Sequence, residues 1–515
     1  MTTLTIRPVV VLLRHSVLRC STPRNPSVAL VTRSSTRAPD AARSRVERAF
    51  DARFCDRGRR AGRVDGKSRG ANARRSTGED ATRSSALARA SYRAMREADV
   101  ARVLGPRLPA VTPSDDTDFD CCVIGIGRLG LCFALMLERA GMRVVGVDVN
   151  DAYVKRINEK ALTSVEPGVR ECLMTSERFQ ATTDLKQAVK STRLVFILVA
   201  TPTDGGKHYY DHSALSSLLV KLNEFKLKDT DLVINSTVFP GYIRNIGSLL
   251  LKDCVNCPIS YNPAFVAQGD VMIGYRTGGW FGMVLVGAAN DEIALKLKDI
   301  YQRISGAGGS GQNGEISVCT MSPESAEICK LASNCFRTTK ISFANMIGDI
   351  ADRTEGAEKH EICDALKMDR SIGSICMTPG YGFGGPCYPR DNKALALYAR
   401  QLGVQPLIPV ATDEYNSFHH GLMVENFEKS SKNCDAPIEF HDVTYKPNCA
   451  VPMIDHSPKL EVARELAHRG KKVKIIDRFE VILEVMKEYG NLFEYETRES
   501  TVARSMESKD TLSAY

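Results

Sequence analysis

Residues 121–148 read CCVIGIGRLGLCFALMLERAGMRVVGVD. The apolar run Cys121 to Ile124 enters Gly125-Ile126-Gly127-Arg128-Leu129-Gly130. A helical pattern then runs to Ala140 and stops at Gly141, and Val144 to Val147 leads into Asp148. Strand, glycine turn, helix, strand and acid at these spacings predict a βαβ unit that binds a dinucleotide. The three glycines act differently. Gly125 makes the tight turn, Gly127 lets a pyrophosphate approach the backbone, and Gly130 lets the helix pack closely. The helix N-terminus faces the negative charge. Asp148 suits ribose hydroxyls, and no arginine follows it to welcome a 2′-phosphate, so NAD is expected rather than NADP.

The alternation continues outward. Leu194 to Val199 is an apolar run that ends in Ala200-Thr201-Pro202-Thr203, and Asp231 to Ile234 is another that ends in Ser236-Thr237-Val238. Ligands of such sheets sit beyond the carboxyl ends of the strands, so Thr201, Thr203, Ser236 and Thr237 are candidates for the nicotinamide half of the cofactor. From Ser322 to about Arg353 the period becomes helical. Ile328, Leu331, Cys335, Phe343 and Ile347 mark an apolar face, and Lys330, Asn334 and Arg337 fall together on another. That second face reads either as solvated or as built for a phosphorylated or carbonyl-bearing substrate.

Residues 379–391, PGYGFGGPCYPRD, set Cys387 behind a glycine run and four residues ahead of Asp391. The glycines allow unusual φ values and close approach of a substrate or another backbone. Cys387 reads either as a nucleophile, with Arg390 and Lys393 favouring its thiolate if they lie near it, or as a buried structural thiol. Further on, Val443 to Lys446 is expected to end a strand, Ser457-Pro458 starts a helix that Gly470 stops, and Val473 to Ile476 is a strand ending on Asp477. AHRGKKVKIID echoes ERAGMRVVGVD, so a second α/β unit without a glycine fingerprint is expected there.

Composition bounds the remaining choices. At 515 residues with 43% hydrophobic content, the chain can build several large cores. Its 16 cysteines show no small-protein disulfide framework. The single CxxC, Cys254 and Cys257, lacks a second pair or histidines at finger spacing, so no metal site is expected. Adjacent His419 and His420 point about 100° apart on a helix and stay unassigned. No run approaches the roughly 18 apolar residues of a membrane span, and the chain reads as soluble. The net charge of +8 is concentrated at the start, where residues 1–110 hold 23 Arg and one Lys against nine acidic residues. That segment reads as disordered and resembles an organellar transit peptide. An inert extension or a misassigned start are the alternatives. A nucleic-acid-binding role is not expected, because aromatic residues for stacking are sparse there.

Taken together, the fingerprint, Val199-Ala-Thr-Pro-Thr203, Ser236-Thr-Val, Asn262-Pro263, Ala326-Glu-Ile-Cys-Lys330 with Asn334, the cysteine loop and Tyr445-Lys-Pro-Asn448 resemble the UDP-glucose/GDP-mannose dehydrogenase family. Motif order and number carry the resemblance, over roughly Asp118 to Glu496. It implies an α/β protein with a Rossmann-like NAD domain over 118–320 and a central helical domain over 321–435 carrying a long dimerising helix. A smaller, shortened C-terminal α/β nucleotide-sugar domain would occupy 436–515, after an extension over 1–117. A homodimer or larger homo-oligomer follows from the same source. So does a cytosolic location, against which the Arg-rich start pulls.

The resemblance also implies a chemistry. The C6 hydroxyl of a nucleotide sugar, UDP-glucose foremost, is oxidised to an aldehyde, Cys387 forms a thiohemiacetal, and a second oxidation gives a thioester that water hydrolyses to the uronate. Lys330 would polarise the reacting oxygen, Asn334 would orient it, and Asp391 would act as base with a water held by Thr237. Gly125, Ile126, Gly127, Leu129, Gly130, Asp148, Lys155, Thr201, Thr203, Ser236 and Thr237 would bind NAD. Lys330, Asn334, Arg337, Lys446 and the loop residues Tyr381, Phe383, Gly384 and Gly385 would bind the sugar nucleotide. Three departures bear on this. The family's Asn-Pro-Glu-Phe is Asn262-Pro-Ala264-Phe265 here and a second family glutamate is Gln268, so thioester hydrolysis is put in doubt. A loop lysine is Arg390, and an arginine that reaches a partner's cofactor is His456. GDP-mannose and UDP-N-acetylhexosamines stay open as substrates. So do a two-electron hydroxyacid dehydrogenase, which needs no Cys387, and a non-catalytic nucleotide-sugar binder.

Overall fold

The computed structural model describes residues 104–105, 107–111, 117–203, 209–279, 282–306, 316–432 and 435–498. The transit-like reading of the Arg-rich start lies outside these residues except at its last few positions. Those positions join the fold earlier than the sequence suggests. Leu104 enters the main core, Leu108 N–H donates to Arg139 O at 2.8 Å, and Val111 N–H donates to Gly141 O at 2.9 Å.

In chain order the first half comprises β1 (Cys121–Ile124), α1 (Arg128–Arg139), β2 (Val144–Val147), α2 (Asp151–Asn158), α3 (Val169–Thr175), β3 (Phe179–Thr182) and α4 (Leu185–Lys190). It continues through β4 (Leu194–Ile197), α5 (Ser213–Glu224), β5 (Asp231–Ile234), β6 (Ile259–Tyr261), α6 (Val271–Thr277), β7 (Met283–Gly287), α7 (Asp291–Ser305) and β8 (Ser317–Met321). The eight strands form one sheet in the order β3-β2-β1-β4-β5-β6-β7-β8, and every neighbouring pair is parallel except β6 and β7. Six strands in the order 3-2-1-4-5-6 are the doubly wound arrangement, with its crevice where the order reverses between β1 and β4. The strands read as unbroken apolar runs because helices cover both faces. Phe133, Leu135 and Tyr275 pack on one face, and Leu215, Leu219 and Tyr242 on the other.

The helical centre follows: α8 (Pro323–Ala351), α9 (Lys359–Met368), α10 (Tyr388–Gln401) and α11 (Leu407–Ser430). Ser322 caps α8, accepting from Ser325 N–H at 3.2 Å, with Pro323 in the first turn. Its polarity is partly the reverse of the expected one. Lys330, Asn334 and Arg337 are buried, whereas Ile328, Phe336, Phe343 and Ile350 are 39%, 67%, 44% and 55% exposed. The polar side faces α10; of the expected apolar positions Leu331 and Cys335 are buried beside it, while Ile328 and Phe343 are left on the surface.

The last unit is β9 (Ile438–His441), α12 (Pro458–His468), β10 (Val473–Asp477), α13 (Phe479–Tyr489) and β11 (Glu494–Thr497). Its strands form a separate parallel sheet ordered β11-β10-β9. Val443 to Lys446 lies after the strand, not in it. Asp442 takes φ +53° and ends the pairing, and Val443 N–H instead donates to Asp477 Oδ2 at 2.7 Å. Similarly β4 stops at Ile197, short of Val199. Cys121 and Cys122 lie in the core. Among the described residues no helix is long and apolar enough to cross a membrane, and no cluster of three metal-ligating side chains occurs.

Candidate active site

The three fingerprint glycines meet three different surroundings. Gly125 has φ +86°, and a Cβ there would lie 2.6 Å from Leu198 O. At Gly130 a Cβ would fall 2.0 Å from Gly125 O, so the helix is held against its own turn. A Cβ on Gly127 would meet nothing within 4 Å, so this is the open side of the turn. The cradle therefore fits a dinucleotide pyrophosphate at the start of α1. Tyr153 of α2 fixes the turn by donating to Ile126 O at 2.9 Å. Asp148 stands at the end of β2 and accepts from Asn150 N–H at 3.1 Å. Leu129 packs on the core, and Lys155 is exposed on α2, 3.9 Å from Glu159. Beyond β4 and β5, Thr201 donates to Thr237 O at 2.7 Å and Ser236 to Val199 O at 2.5 Å. Those two hydroxyls join the strand ends to each other, while Thr203 is exposed beside them.

These surroundings separate binding from folding. Gly127→Thr keeps a good helix N-cap and projects into open space. It is expected to leave the melting temperature unchanged while NADH affinity, measured by fluorescence titration, falls about tenfold or more. Gly130→Ala drives a methyl into backbone and should cost about 1–3 kcal/mol of stability in denaturant unfolding.

The cysteine loop closes over protein as much as over ligand. A Cβ on Gly382 would lie 2.4 Å from Asn416 Oδ1, and one on Gly384 would lie 2.1 Å from His456 O. Gly385 has φ +75° and donates to His456 O at 3.1 Å. Asn345 of α8 accepts from Gly380 N–H at 2.8 Å and donates to Tyr381 O at 3.3 Å. Asn416 of α11 brackets Phe383 in the same way, at 2.9 and 3.1 Å. His419, left unassigned by the sequence, is a loop anchor. Its ring nitrogens meet Asp349 Oδ2 at 2.8 Å and Gly380 O at 2.7 Å. The i, i+3 spacing of Asn416 and His419 was the available signal, but it names no partner.

Cys387 ends up at the N-cap of α10, opening onto solvent. Crowding by the surrounding protein raises its thiol above the ordinary value, and the Asp391 carboxylate adds to the rise. Arg390 and Lys330 oppose it. The expected lowering by Arg390 and Lys393 is thus corrected: Arg390 pulls the right way but is outweighed, and Lys393 is exposed. Asp391 is 0% exposed. Its carboxylate accepts from Tyr210 Oη at 2.7 Å, Asn334 Nδ2 at 2.7 Å and Arg390 Nε at 2.9 Å. Thr237 takes no part in this. Asn334 also accepts from Arg337 at 3.0 Å, so it bridges Arg337 and Asp391 and does not orient Lys330. Sequence reading missed Tyr210, which lies in an irregular stretch outside every motif.

Lys330 points at the Asn-Pro-Ala-Phe segment. Its Nζ donates to Ala264 O at 2.7 Å and lies 4.2 Å from the Phe265 ring centroid. Burial lowers its pKa to about 8 against the opposing pull of Asp391 and Cys387. Ala264 borders a void of about 20 Å³, also lined by Tyr275 and Tyr301, roughly the room one water needs. Two other buried carboxylates are committed elsewhere: Glu166 accepts from Gly269 and Val271 N–H, and Glu327 accepts from Gly241 and Ile243 N–H. Lys446, expected to contact substrate, pairs with Asp270 at 2.7 Å.

Residues 119–305 match the family described as "UDP-glucose/GDP-mannose dehydrogenase family, NAD binding domain", and 324–417 match its central domain. GDP-mannose 6-dehydrogenase of Pseudomonas aeruginosa is 27% identical over 379 residues, covering 69% of this chain and 80% of that protein. UDP-glucose 6-dehydrogenase of Rickettsia bellii is 27% identical over 366 residues, with 69% and 80% covered. A UDP-glucose dehydrogenase structure from Pyrobaculum islandicum superposes with TM-score 0.65 at 26% identity, covering 75% of this chain and 88% of that one. With an NAD fingerprint whose three glycines each meet the expected surroundings, and both family domains matched in order, the chain belongs to the UDP-glucose/GDP-mannose dehydrogenases, NAD-dependent oxidoreductases of nucleotide sugars.

Proposed function

We propose that this chain oxidises the C6 hydroxyl of a nucleotide sugar to the carboxylate in two successive two-electron steps, with UDP-glucose the substrate and UDP-glucuronate the product. The observation that carries the reading is the proximity of Cys387 and Lys330 to the buried Asp391, which Asn334 of α8 and Arg390 of α10 bind at 2.7 and 2.9 Å, so that these groups influence each other's proton affinities. NAD supplies the hydride acceptor when bound, held by the Gly125–Gly130 turn and Asp148. Lys330 stabilises negative charge on the reacting oxygen. The Cys387 thiolate adds to the aldehyde carbon, and after the second oxidation its sulfur leaves as water adds to the acyl carbon. Asp391, bound by three donors, holds Arg390 and Asn334 in place more than it moves protons. Tyr381, Phe383, Gly384, Gly385, Arg337 and Lys446 line the sugar-nucleotide side.

A stoichiometry assay tests this. Purified protein is given NAD and a panel of UDP-glucose, GDP-mannose and UDP-N-acetylhexosamines, and NADH is counted per sugar consumed. Two NADH per UDP-glucose supports the reading. Two with GDP-mannose alone would reassign the substrate, one would indicate a two-electron enzyme, and none with any sugar would leave a binder.

The Asp270–Lys446 pair gives a second expectation. A diphosphate that uses Lys446 must compete with the Asp270 carboxylate, so Asp270→Asn should bind UDP about 3- to 10-fold more tightly by calorimetry, more so at low salt. Unchanged affinity would remove Lys446 from the diphosphate site. The exposed apolar stripe of α8, with Phe336, Phe343 and Ile350 seven residues apart, fits a second copy of the chain. Light scattering should therefore give a mass of at least twice 56.6 kDa; a monomer would rule this out.

A further inference from the structure

We infer that Arg128 is a side-chain ligand of the cofactor pyrophosphate, held ready by Gln268. Arg128 is the first residue of α1, directly after Gly127, and its guanidinium is exposed. A cation there opposes the helix dipole. No acidic residue in the first turn of α1 offsets it, and among the described residues Arg128 makes no ion pair. Its hydrogen bond goes to a neutral group, from Nη1 to Gln268 Oε1 at 3.0 Å. The charge is therefore oriented and left uncompensated beside the open face of Gly127, where a dianionic pyrophosphate supplies the counter-charge.

Gln268 can hold the guanidinium without neutralising it because it is both fixed and uncharged. Its backbone carbonyl accepts from Tyr445 Oη and from Cys449 Sγ, each at 3.4 Å. Gly269, the next residue, packs so closely on the Cys449–Ala450 backbone that a Cβ would lie 3.0 Å from Ala450 N. The amide thus holds the guanidinium from a braced segment. A glutamate here, as the family resemblance leads one to expect, would neutralise Arg128 in an ion pair. With a neutral glutamine in this segment, the guanidinium keeps its full positive charge for the cofactor. The inference rests on the cofactor and not on which sugar is oxidised.

The test is NADH and ADP-ribose binding without sugar, followed by fluorescence and calorimetry, with UDP as a control ligand and thermal melting as the check on folding. Arg128→Met is expected to weaken both dinucleotide probes about 10- to 100-fold, with a flatter salt dependence, while Arg128→Lys recovers part of the loss and UDP binding stays within twofold. Gln268→Glu, which keeps the shape but pairs the charge, should weaken NADH about 3- to 10-fold. Arg128→Met binding NADH within twofold of the parent overturns the assignment. Parent-like affinity in Gln268→Glu overturns the part given to Gln268.

Discussion

Replacing Cys387 with alanine is expected to lower uronate formation by at least about 10³-fold, because the covalent route then loses its nucleophile. The first oxidation should survive, so NADH per sugar falls from two to one and an aldehyde trappable by hydroxylamine appears. In the parent enzyme the reverse imbalance is expected. Ala264 carries no carboxylate where the family resemblance leads one to expect one, and Glu166 and Glu327 are committed to backbone N–H groups, so neither of these acids is spare to activate the hydrolytic water. The acyl group should then linger, giving a burst of NADH followed by a slower steady rate. Intact-protein mass after an acid quench should show a uronyl adduct that is absent from Cys387→Ala. Ala264→Glu is expected to shorten the adduct's lifetime, but the neighbouring void is too small for the longer side chain, so the carboxylate must turn toward the cleft and overpacking costs about 1–3 kcal/mol. Two NADH per sugar from Cys387→Ala would end the covalent reading.

Lys330→Met is expected to reduce kcat by about 10²- to 10³-fold, the usual loss when one donor to a developing oxyanion is removed. The fold should not suffer. Burial makes the Lys330 charge costly, and a similarly shaped neutral side chain removes that cost, so the melting temperature should be equal or higher. The pH dependence follows from the sign of the shift. A lysine lowered to about 8 is cationic below that pH and neutral above it, so a role as a positive partner of oxygen predicts a rate for the first oxidation that falls as pH rises through about 8. Lys330→Arg keeps its proton across this range, so its residual activity should lack the alkaline limb. A rate that instead rises through pH 8 in the parent would make Lys330 a base.

The nucleotide fingerprint could be read in full from the sequence because its determinants are local. Turn, close packing and open face belong to three glycines within six residues, and only the close approach of Leu198 O to Gly125 comes from farther along the chain. Cys387 and Asp391 were similarly visible as a pair on one loop. Asn334 was visible too, but its partner was not: it holds Asp391, 57 residues away, and does not orient Lys330. Arg390 was expected to lower the thiol, yet a neighbour in sequence sets only one of several opposing influences, and crowding by the surrounding protein with the Asp391 charge prevails.

The helix α8 shows the division most plainly. Periodicity placed Lys330, Asn334 and Arg337 on one face and Ile328, Leu331, Cys335, Phe343 and Ile347 on another, yet Leu331 and Cys335 are buried with the polar residues while Ile328 and Phe343 are exposed. Which face is buried is decided by what packs against it, and a period carries no such information. Hydrogen-bond satisfaction has the same character, since a buried carboxylate must find donors wherever the chain brings them. Asp391 finds one in Tyr210, 181 residues earlier, and Lys446 finds Asp270 176 residues away. The sequence by itself therefore determined the sheet class and the cofactor, and it named the candidate reactive groups, through patterns that close within a few turns of chain. Tertiary structure alone decided how those groups are charged, paired and faced, because burial and long-range contacts set those properties.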